Sequence, residues 1–277
     1  MHKGLRKYIK RFVNMGFDQI KRTNVLGVGV SALDMETVIS LLLDARCSGE
    51  SGYVCVTGVH GVIESQRDED LWKIHNRSFL TVPDGMPTVW MGMEQGYVDM
   101  GRVYGPDLML EIMRETCSLG KHPSLTHFLF GATDDILMKM KQNFEVKFPN
   151  INIVGIYAPP FRALNDQEEH ELAMLVQKLK PDFFWVGLST PKQEKFMAAH
   201  AHNSNFGMML GVGAAFPIHA GLQKDAPNWI KNSGFHWFYR LCQEPRRLWR
   251  RYVEIVPTFL WLAFLQLLGL KRYTSIK

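Results

Sequence analysis

The 277-residue sequence lacks the features that several large classes of protein require. It has only four cysteines, which are scattered and form no C-x-x-C pair, so they indicate reduced thiols and argue against a disulfide framework or a cysteine-rich zinc site. Glycine and proline, with 23 and 13 residues, are too few for a collagen-like or low-complexity fibre. No apolar run with a cleavage site follows the N-terminus, so we expect no signal peptide.

The common nucleotide and metal motifs are also missing. The sequence has neither a P-loop nor a complete G-x-G-x-x-G fingerprint with an acidic residue about 20 positions later. It has no D-x-D motif that would hold a metal against a diphosphate, and its ten histidines do not cluster at the spacing of metal ligands. We therefore expect no metal site and no cofactor.

The charge that is present is unevenly distributed. The net charge of +5 divides into +6 over residues 1–22, −8 over residues 23–230 and +7 over residues 231–277. Basic ends beside apolar residues favour an anionic membrane surface as the partner, whereas a nucleic-acid-binding protein would more naturally carry the charge on its folded body. With 46% hydrophobic residues, the chain is long and apolar enough to bury a substantial core.

Short apolar runs alternate with amphipathic stretches along the chain. The runs predict strands at Tyr53–Thr57, Phe79–Val82, Thr126–Phe130, Ile151–Ile156, Phe183–Gly187 and Met208–Val212. The amphipathic stretches predict helices at Arg67–Asn76, Pro106–Leu119, Asp134–Phe144, Asp166–Leu179 and Pro191–His202. This alternation predicts an α/β fold with a parallel sheet and helices on both faces. We divide the chain into a basic amphipathic segment (1–22), an α/β catalytic domain (23–230) and a basic, aromatic helical appendage (231–277).

The longest apolar stretch, Ile255–Leu270, lies between basic pairs in this appendage. It has 16 residues, including Pro257 and Gln266, whereas a membrane-spanning helix needs about 20 apolar residues. Three interpretations remain open from the sequence. The favoured one is a helix or hairpin lying in the membrane interface, and the alternatives are a buried terminal helix and a true membrane span.

Ligands of parallel α/β sheets bind beyond the carboxyl ends of the strands, so the loops that follow the predicted strands are the first place to look for chemistry. Thr57 ends one strand, and Asp84 follows another in the sequence Pro83-Asp84-Gly85. Asp84 is a candidate general base, or else it forms an Asx-turn or caps the following helix. Arg102 is a candidate ligand for a phosphate, with a surface salt bridge as the alternative.

Three glycine-containing junctions offer backbone N–H groups to a phosphate or ribose. They contain Gly131, Gly187, and the pair Gly211 and Gly213. The second junction continues into Lys192 and Gln193, whose side chains can reach an anion or the edge of a base.

Basic and aromatic residues alternate in the appendage. Arg240, Arg247 and Arg250 lie on one side of a helix if Pro245 only kinks it, and such a face suits recognition of a diphosphate at a membrane surface. The alternative is a solvated basic helix with an aromatic stripe that packs on the core.

Taken together, these segments resemble the WecG/TagA/CpsF family of glycosyltransferases, which is glycosyltransferase family 26. The resemblance extends from about Asn24 to Tyr252. It rests on the motifs P-D-G-x-x-x-V-W, R-V-x-G-x-D-L-M, L-F-G-A, V-G-L-x-x-P-K-Q-E, G-V-G-A-x-F-x-x-x-A-G and G-x-x-W-x-Y-R-L-x-Q-E-P-R-R-L-W-R-R-Y.

The resemblance implies a Rossmann-like, metal-independent, inverting glycosyltransferase. It would move a sugar, often of the N-acetylmannosamine type, from a UDP-sugar to a saccharide linked to polyprenyl diphosphate. The reaction would take place at the cytoplasmic face of the cell membrane, where the protein would bind peripherally, and would serve exopolysaccharide or cell-wall synthesis. The alternatives are a non-catalytic, membrane-associated nucleotide-binding module and an NAD-dependent oxidoreductase, and the incomplete glycine fingerprint argues against the second of these.

The resemblance also assigns roles to particular residues. The family's general base falls on Asp84, with Thr57 beside it, and its active-site arginine falls on Arg102. Gln193 corresponds to the glutamine of the P-K-Q-E motif. The arginines that close over the lipid-linked diphosphate fall on the three positions in the appendage, namely Arg240, Arg247 and Arg250. Val59 and Pro217 stand where many members have asparagine and aspartate, which leaves the donor sugar undetermined.

Overall fold

A computed structural model describes residues 20–117 and 125–274. Most of the basic segment 1–22 and the end of the predicted helix Pro106–Leu119 lie outside these residues. The described chain forms two compact units that alternate along the sequence. Glu36–Cys55 and Gly105–Lys224 belong to the first unit. The second unit contains Ile20–Met35, Val56–Tyr104 and the chain from Asp225 onward.

Eight strands and twelve α-helices are present in the described residues. The strands are β1 (Arg22–Val25), β2 (Val28–Ser31), β3 (Gly52–Thr57), β4 (Leu80–Pro83), β5 (Thr126–Gly131), β6 (Asn152–Tyr157), β7 (Phe183–Gly187) and β8 (Met208–Gly211). The first six helices are α1 (Met35–Cys47), α2 (Val59–Ser65), α3 (Glu69–Arg77), α4 (Met86–Glu94), α5 (Gly105–Thr116) and α6 (Asp134–Lys147). The others are α7 (Asp166–Leu179), α8 (Lys192–His200), α9 (Ala215–His219), α10 (Asn228–Asn232), α11 (His236–Gln243) and α12 (Pro245–Leu267).

The main sheet has six strands in the order β4-β3-β8-β7-β5-β6. The neighbours from β3 to β6 in this order all pair in parallel. The prediction of an α/β fold with a parallel sheet is therefore confirmed. All six predicted strands are present, and their ends differ from the predicted ones by no more than one residue.

The sequence patterns did not reveal the elements that precede the sheet, namely the β1-β2 hairpin and α1. In the hairpin, Leu26 and Gly27 form the turn and both have positive φ angles, 49° and 86°. This backbone is typical of a tight turn between twisted strands, but leucine rarely adopts it. A turn signal was therefore missing from the sequence.

The core of the first unit is aromatic. All but the last residue of β7 are buried, as expected for a strand covered on both faces. The rings of Phe128 and Phe184 stack with their centroids 4.9 Å apart, and Phe130 stacks on Phe196 at 4.4 Å. These contacts hold β5, β7 and α8 together, and so fix the positions of the loops at the carboxyl ends of the strands.

The core of the second unit joins the start and the end of the described chain. Val25 and Val28 of the hairpin belong to one buried cluster with Ile255, Phe259 and Ala263 of α12. The side chain of Gln266 adds polar contacts, donating to the carbonyl of Asn24 and accepting from the amide of Leu26. Part of the apolar stretch Ile255–Leu270 is therefore core.

The opposite side of α12 exposes large apolar side chains. Leu260, Trp261, Phe264 and Leu267 are each at least half exposed. No helix among residues 20–117 and 125–274 is long and apolar enough to cross a membrane. The helix thus combines a buried face with an exposed apolar face.

Two glycines allow close packing where β5 and β7 end. A Cβ atom on Gly131 would lie 2.7 Å from the backbone of Gly187, its partner in the sheet. A Cβ atom on Gly187 would lie 2.4–2.5 Å from the ring of Phe216. Real Cβ atoms do not approach other atoms so closely. This packing therefore requires glycine at both positions.

We expect the substitution Gly187→Ala to destabilise the protein by about 1–3 kcal/mol, because the added methyl group must displace the buried Phe216 ring. The matched control is Gly85→Ala, where the new Cβ would meet nothing closer than 3.6 Å. Chemical denaturation measures both. Equal stability of the two variants would contradict the packing role of Gly187.

Candidate active site

Thr57 and Asp84 lie next to each other in the second unit. The amide of Asp84 donates a hydrogen bond to the carbonyl of Thr57 over 3.1 Å, at the ends of β4 and β3. The Asp84 side chain is partly exposed. Gly85, and not Asp84, is the N-cap residue of α4, so the helix-capping interpretation of Asp84 is wrong. A partly exposed carboxylate at a strand end can act as a proton acceptor for a bound hydroxyl group.

The side chain of Thr57 is buried and bonded to a histidine that the sequence patterns did not identify. Its hydroxyl lies 2.8 Å from Nε2 of His75, whose Nδ1 lies 3.0 Å from the carbonyl of Leu71. Because a carbonyl only accepts, Nδ1 carries the ring proton and Nε2 is the acceptor. The Thr57 hydroxyl therefore donates a hydrogen bond to Nε2 of His75. Burial lowers the pKa of His75 to about 4, which keeps the ring neutral.

Arg102 connects Asp84 to the C-terminal part of the same unit. Its Nε donates to the carbonyl oxygen of Asp84, and its Nη1 donates to the carbonyl of Lys231 over 2.6 Å. Its Nη2 lies 3.3 Å from Nδ1 of His236, and its guanidinium carbon lies 4.4 Å from the centre of the Tyr104 ring. Within residues 20–117 and 125–274, these contacts use three of the five N–H donors of the guanidinium.

A polar cluster beside Arg102 was also not predicted. The carboxylate of Asp225 accepts from the Tyr104 hydroxyl at 2.9 Å and pairs with Lys231 at 2.6 Å. Burial, and then the charges of Asp225 and Asp84, raise the pKa of Tyr104. Burial, and then the charge of Arg102, lower the pKa of His236 to about 3. Both side chains are therefore neutral near pH 7, and the neutral His236 ring can accept from Arg102 at Nδ1.

The predicted arginines lie on two helices and not on one kinked helix, because α11 ends at Gln243 and Pro245 begins α12. Glu244, between the helices, pairs with Arg247 at 2.6 Å and with Arg240 at 3.6 Å. A carboxylate thus already lies between two of the predicted phosphate ligands. Arg250 instead lies over the Trp249 ring, with its guanidinium carbon 5.5 Å from the ring centre.

Tyr252 lies within electrostatic reach of Asp84 and of three arginines. Burial raises the pKa of its hydroxyl, the charges of Arg240, Arg251 and Arg247 lower it, and the charge of Asp84 raises it further. Arg251, which the sequence analysis did not single out, therefore belongs to this group. Its charge also acts on His60, whose pKa is lowered to about 4 mainly by burial.

The remaining predicted residues lie in the first unit. Gly131, Gly187 and Gly211 are close to each other at the carboxyl ends of β5, β7 and β8, and Gly213 follows with a φ angle of +45°. Lys192 is exposed at the start of α8. Gln193 is 4% exposed, and its Nε2 lies 3.3 Å from the carbonyl of Gly211.

The two units therefore carry different chemistry. The second unit combines a carboxylate, neutral hydroxyl and imidazole groups, and several arginines, which suits proton transfer next to a bound anion. The first unit presents glycine-rich strand ends and a buried amide, which suits binding of a nucleotide or a sugar. In the part of the chain that the structure describes, no group of three or more His, Cys, Asp or Glu residues could hold a metal ion.

Comparisons with known proteins find one matching family model and several related transferases. The family model described as "Glycosyl transferase WecG/TagA/CpsF family" matches residues 23–273. The N-acetylglucosaminyldiphosphoundecaprenol N-acetyl-beta-D-mannosaminyltransferase of Bacillus subtilis (strain 168) is 28% identical over 189 residues, 68% of this chain and 70% of that protein. The transferase of the same name from Staphylococcus aureus (strain MW2) is 26% identical over 152 residues, 55% of this chain and 57% of that protein.

We expect His75 to make stability depend on pH. The pKa of His75 is about 4 in the folded protein, whereas an ordinary histidine, as in the unfolded chain, has a pKa of 6.5. Between these two pH values the unfolded chain therefore binds a proton that the folded chain does not. Stability therefore falls as the pH drops from about 6.5 towards 4, by up to about 3 kcal/mol from this residue.

The measurement is the free energy of unfolding of the wild type and of His75→Leu between pH 7 and 4. The variant should be less stable at pH 7, because the Thr57 hydroxyl loses its acceptor, yet its stability should fall less steeply with acid. Parallel curves for the two proteins would show that His75 does not titrate in this way.

Proposed function

The chain belongs to the WecG/TagA/CpsF family of glycosyl transferases, and we propose that it transfers an N-acetylmannosamine-type sugar from a UDP-sugar to N-acetylglucosamine linked to polyprenyl diphosphate. The names of the relatives support the sugar and the acceptor. The reaction would occur at the cytoplasmic face of the membrane. The donor nucleotide follows from the resemblance and is the part of the proposal that an assay must test first.

The observation that carries the proposal is the grouping in the second unit. Asp84 lies within electrostatic reach of Tyr252, and so do Arg240, Arg247 and Arg251. A base and several guanidinium groups within reach of one tyrosine fit an acceptor that has a hydroxyl to be activated and a diphosphate to be bound. Glu244 occupies part of the guanidinium surface with a carboxylate, which shows that these arginines can hold an anion between them.

In the proposed reaction, Asp84 takes the proton of the attacking acceptor hydroxyl. The hydroxyl oxygen forms a bond to the anomeric carbon on the face opposite the leaving group, the bond from that carbon to the UDP oxygen breaks, and the configuration inverts. The negative charge on the departing diphosphate is stabilised by backbone N–H groups and by cationic side chains. Arg102 holds the backbone of Asp84 in position, since it donates to the Asp84 carbonyl.

We expect Asp84→Asn to lower the transfer rate by about 10²-fold or more, because the amide cannot accept the acceptor proton. The assay follows transfer of labelled sugar from a panel of UDP-sugars to a synthetic lipid-diphosphate N-acetylglucosamine. Calorimetry with UDP should show largely unchanged binding by the variant.

Asp99→Asn is the matched control, since Asp99 is an exposed aspartate of the same unit. It should leave transfer unchanged. Full activity of Asp84→Asn would remove Asp84 as the base. Binding of UDP by the wild type without turnover on any donor would contradict the transferase and favour a nucleotide-binding module.

We further propose that the exposed face of α12 lies against the membrane. Leu260, Trp261, Phe264 and Leu267 form this face, and Lys271 and Arg272 follow it in the sequence. Apolar and aromatic side chains beside basic residues are typical of helices that lie in the interface of an anionic membrane. Deleting the appendage would not test this proposal, because Ile255 and Phe259 on the other face of α12 belong to the core.

Point substitutions on the exposed face provide the test. We expect the double variant Leu260→Glu, Phe264→Glu to bind anionic phosphatidylglycerol vesicles at least about 10-fold more weakly, because each lost apolar contact is worth about 1.5–3 kcal/mol. Co-sedimentation measures the binding. The thermal unfolding temperature should not change, since both side chains are exposed.

Val146→Glu in α6 is the control, since Val146 is an exposed apolar residue of the first unit. It should bind vesicles like the wild type. Equal binding by all three proteins would show that the exposed face of α12 does not contact the membrane.

A further inference from the structure

Two neighbouring polar side chains at the start of α8 are buried in the first unit without all of their hydrogen bonds. Gln193 is 4% exposed and Glu194 is 1% exposed. Among the described residues, Oε1 of Gln193 and Oε2 of Glu194 have no hydrogen-bond partner. A buried polar atom without a partner destabilises a protein by about 1–3 kcal/mol, so such atoms call for an explanation.

The surroundings of Gln193 fix the orientation of its amide group. Its Nε2 lies 3.3 Å from the carbonyl oxygen of Gly211 and 3.0 Å from Oε1 of Glu194. A backbone carbonyl can only accept, so the NH2 end of the amide must face Gly211. The Gln193 oxygen is therefore the end left without a partner, and it can only accept a hydrogen bond.

The hydrogen bonds of Glu194 show which of its oxygens can carry a proton. Oε1 accepts from Gln193 and also from the Thr190 hydroxyl, at 2.9 Å. When the carboxyl group is neutral, its proton therefore belongs on Oε2, which accepts no hydrogen bond from the described residues. Burial raises the pKa of Glu194, and no cation is among the groups that act on it. A neutral acid avoids the much larger cost of a buried, unpaired charge.

Gly213 leaves space in front of the unpartnered oxygen. A Cβ atom at this position would lie 3.4 Å from Oε1 of Gln193 and 3.2 Å from the carbonyl oxygen of Leu188. Two acceptor oxygens therefore line the space that a side chain would fill. A ligand group that carries an N–H or O–H donor would complement these two acceptor oxygens.

We propose that Glu194 is a positioning residue which, as a neutral carboxylic acid, turns the Gln193 amide so that its oxygen accepts a hydrogen bond from an N–H or O–H group of the ligand beside Gly213. Gln193 thus recognises a donor group and not a phosphate. The proposal rests on the proposed transferase function for the choice of ligand. UDP is a suitable probe, since its uracil has an imide N–H and its ribose has hydroxyl groups.

The test compares two variants of Glu194. Glu194→Gln is neutral and keeps an oxygen that can accept from Thr190 and Gln193, so we expect its Kd for UDP to stay within about 3-fold of the wild type. Glu194→Met has a similar size but no acceptor. Its Kd should rise about 10-fold or more, because the Gln193 amide is then oriented only by its 3.3 Å hydrogen bond to Gly211. Calorimetry measures both Kd values at pH 7.

A second measurement examines protonation without a ligand. The infrared difference spectrum of wild type minus Glu194→Gln at pH 7 should contain the C=O stretch of a protonated carboxyl group. This result can be obtained even if Glu194→Met does not fold. Absence of the band would overturn the proposal, as would a large loss of UDP binding in Glu194→Gln.

Equal UDP affinity of the wild type and both variants would also overturn the positioning role of Glu194. Failure of the wild type itself to bind UDP would contradict the proposed donor. In that case the infrared band still decides whether Glu194 is neutral, so the failure of one proposal can be told apart from the failure of the other.

Discussion

The hydrogen bonds of one guanidinium group hold the candidate active site of the second unit together. Arg102 donates to the carbonyl oxygen of Asp84 and to that of Lys231, which is 129 positions further along the chain. Because the bonds go to backbone oxygens, they fix the course of the chain and not only the side chains. A planar group with several donors at fixed angles can do this, whereas an ammonium group lacks that fixed geometry. The positions of Asp84 and of the C-terminal helices depend on these hydrogen bonds of Arg102.

Around this connection, burial keeps three potentially charged groups neutral. His75 and His236 have lowered pKa values, and Tyr104 has a raised one, in each case mainly because of burial. Neutral groups can accept or donate hydrogen bonds without competing with the arginines for an anion. The positive charge of this cluster therefore comes from the arginines and Lys231, of which Lys231 is paired with Asp225, and the arginines favour binding of a diphosphate.

The sequence predicted the parallel sheet and the strand ends well, because short apolar runs between helical stretches leave few other folds. It also indicated Asp84, which directly follows a strand. It did not indicate His75, because a histidine 18 positions from Thr57 has no local pattern that reveals the contact. Glu194 was overlooked for another reason. An acidic residue in the first turn of a helix is common, and only its burial shows that this one is unusual.

The pairing of Val25 and Val28 with Ile255 and Phe259 in one core affects how the protein can fold during synthesis. The β1-β2 hairpin emerges from the ribosome early, but its apolar partners on α12 are made more than 200 residues later. The core of the second unit therefore cannot close before α12 has been made. Residues Glu36–Cys55 and Gly105–Lys224 are all made before α12, so the first unit can form its core without waiting for it. Until α12 has been made, the two valines of the hairpin lack these apolar partners and can be bound by a chaperone.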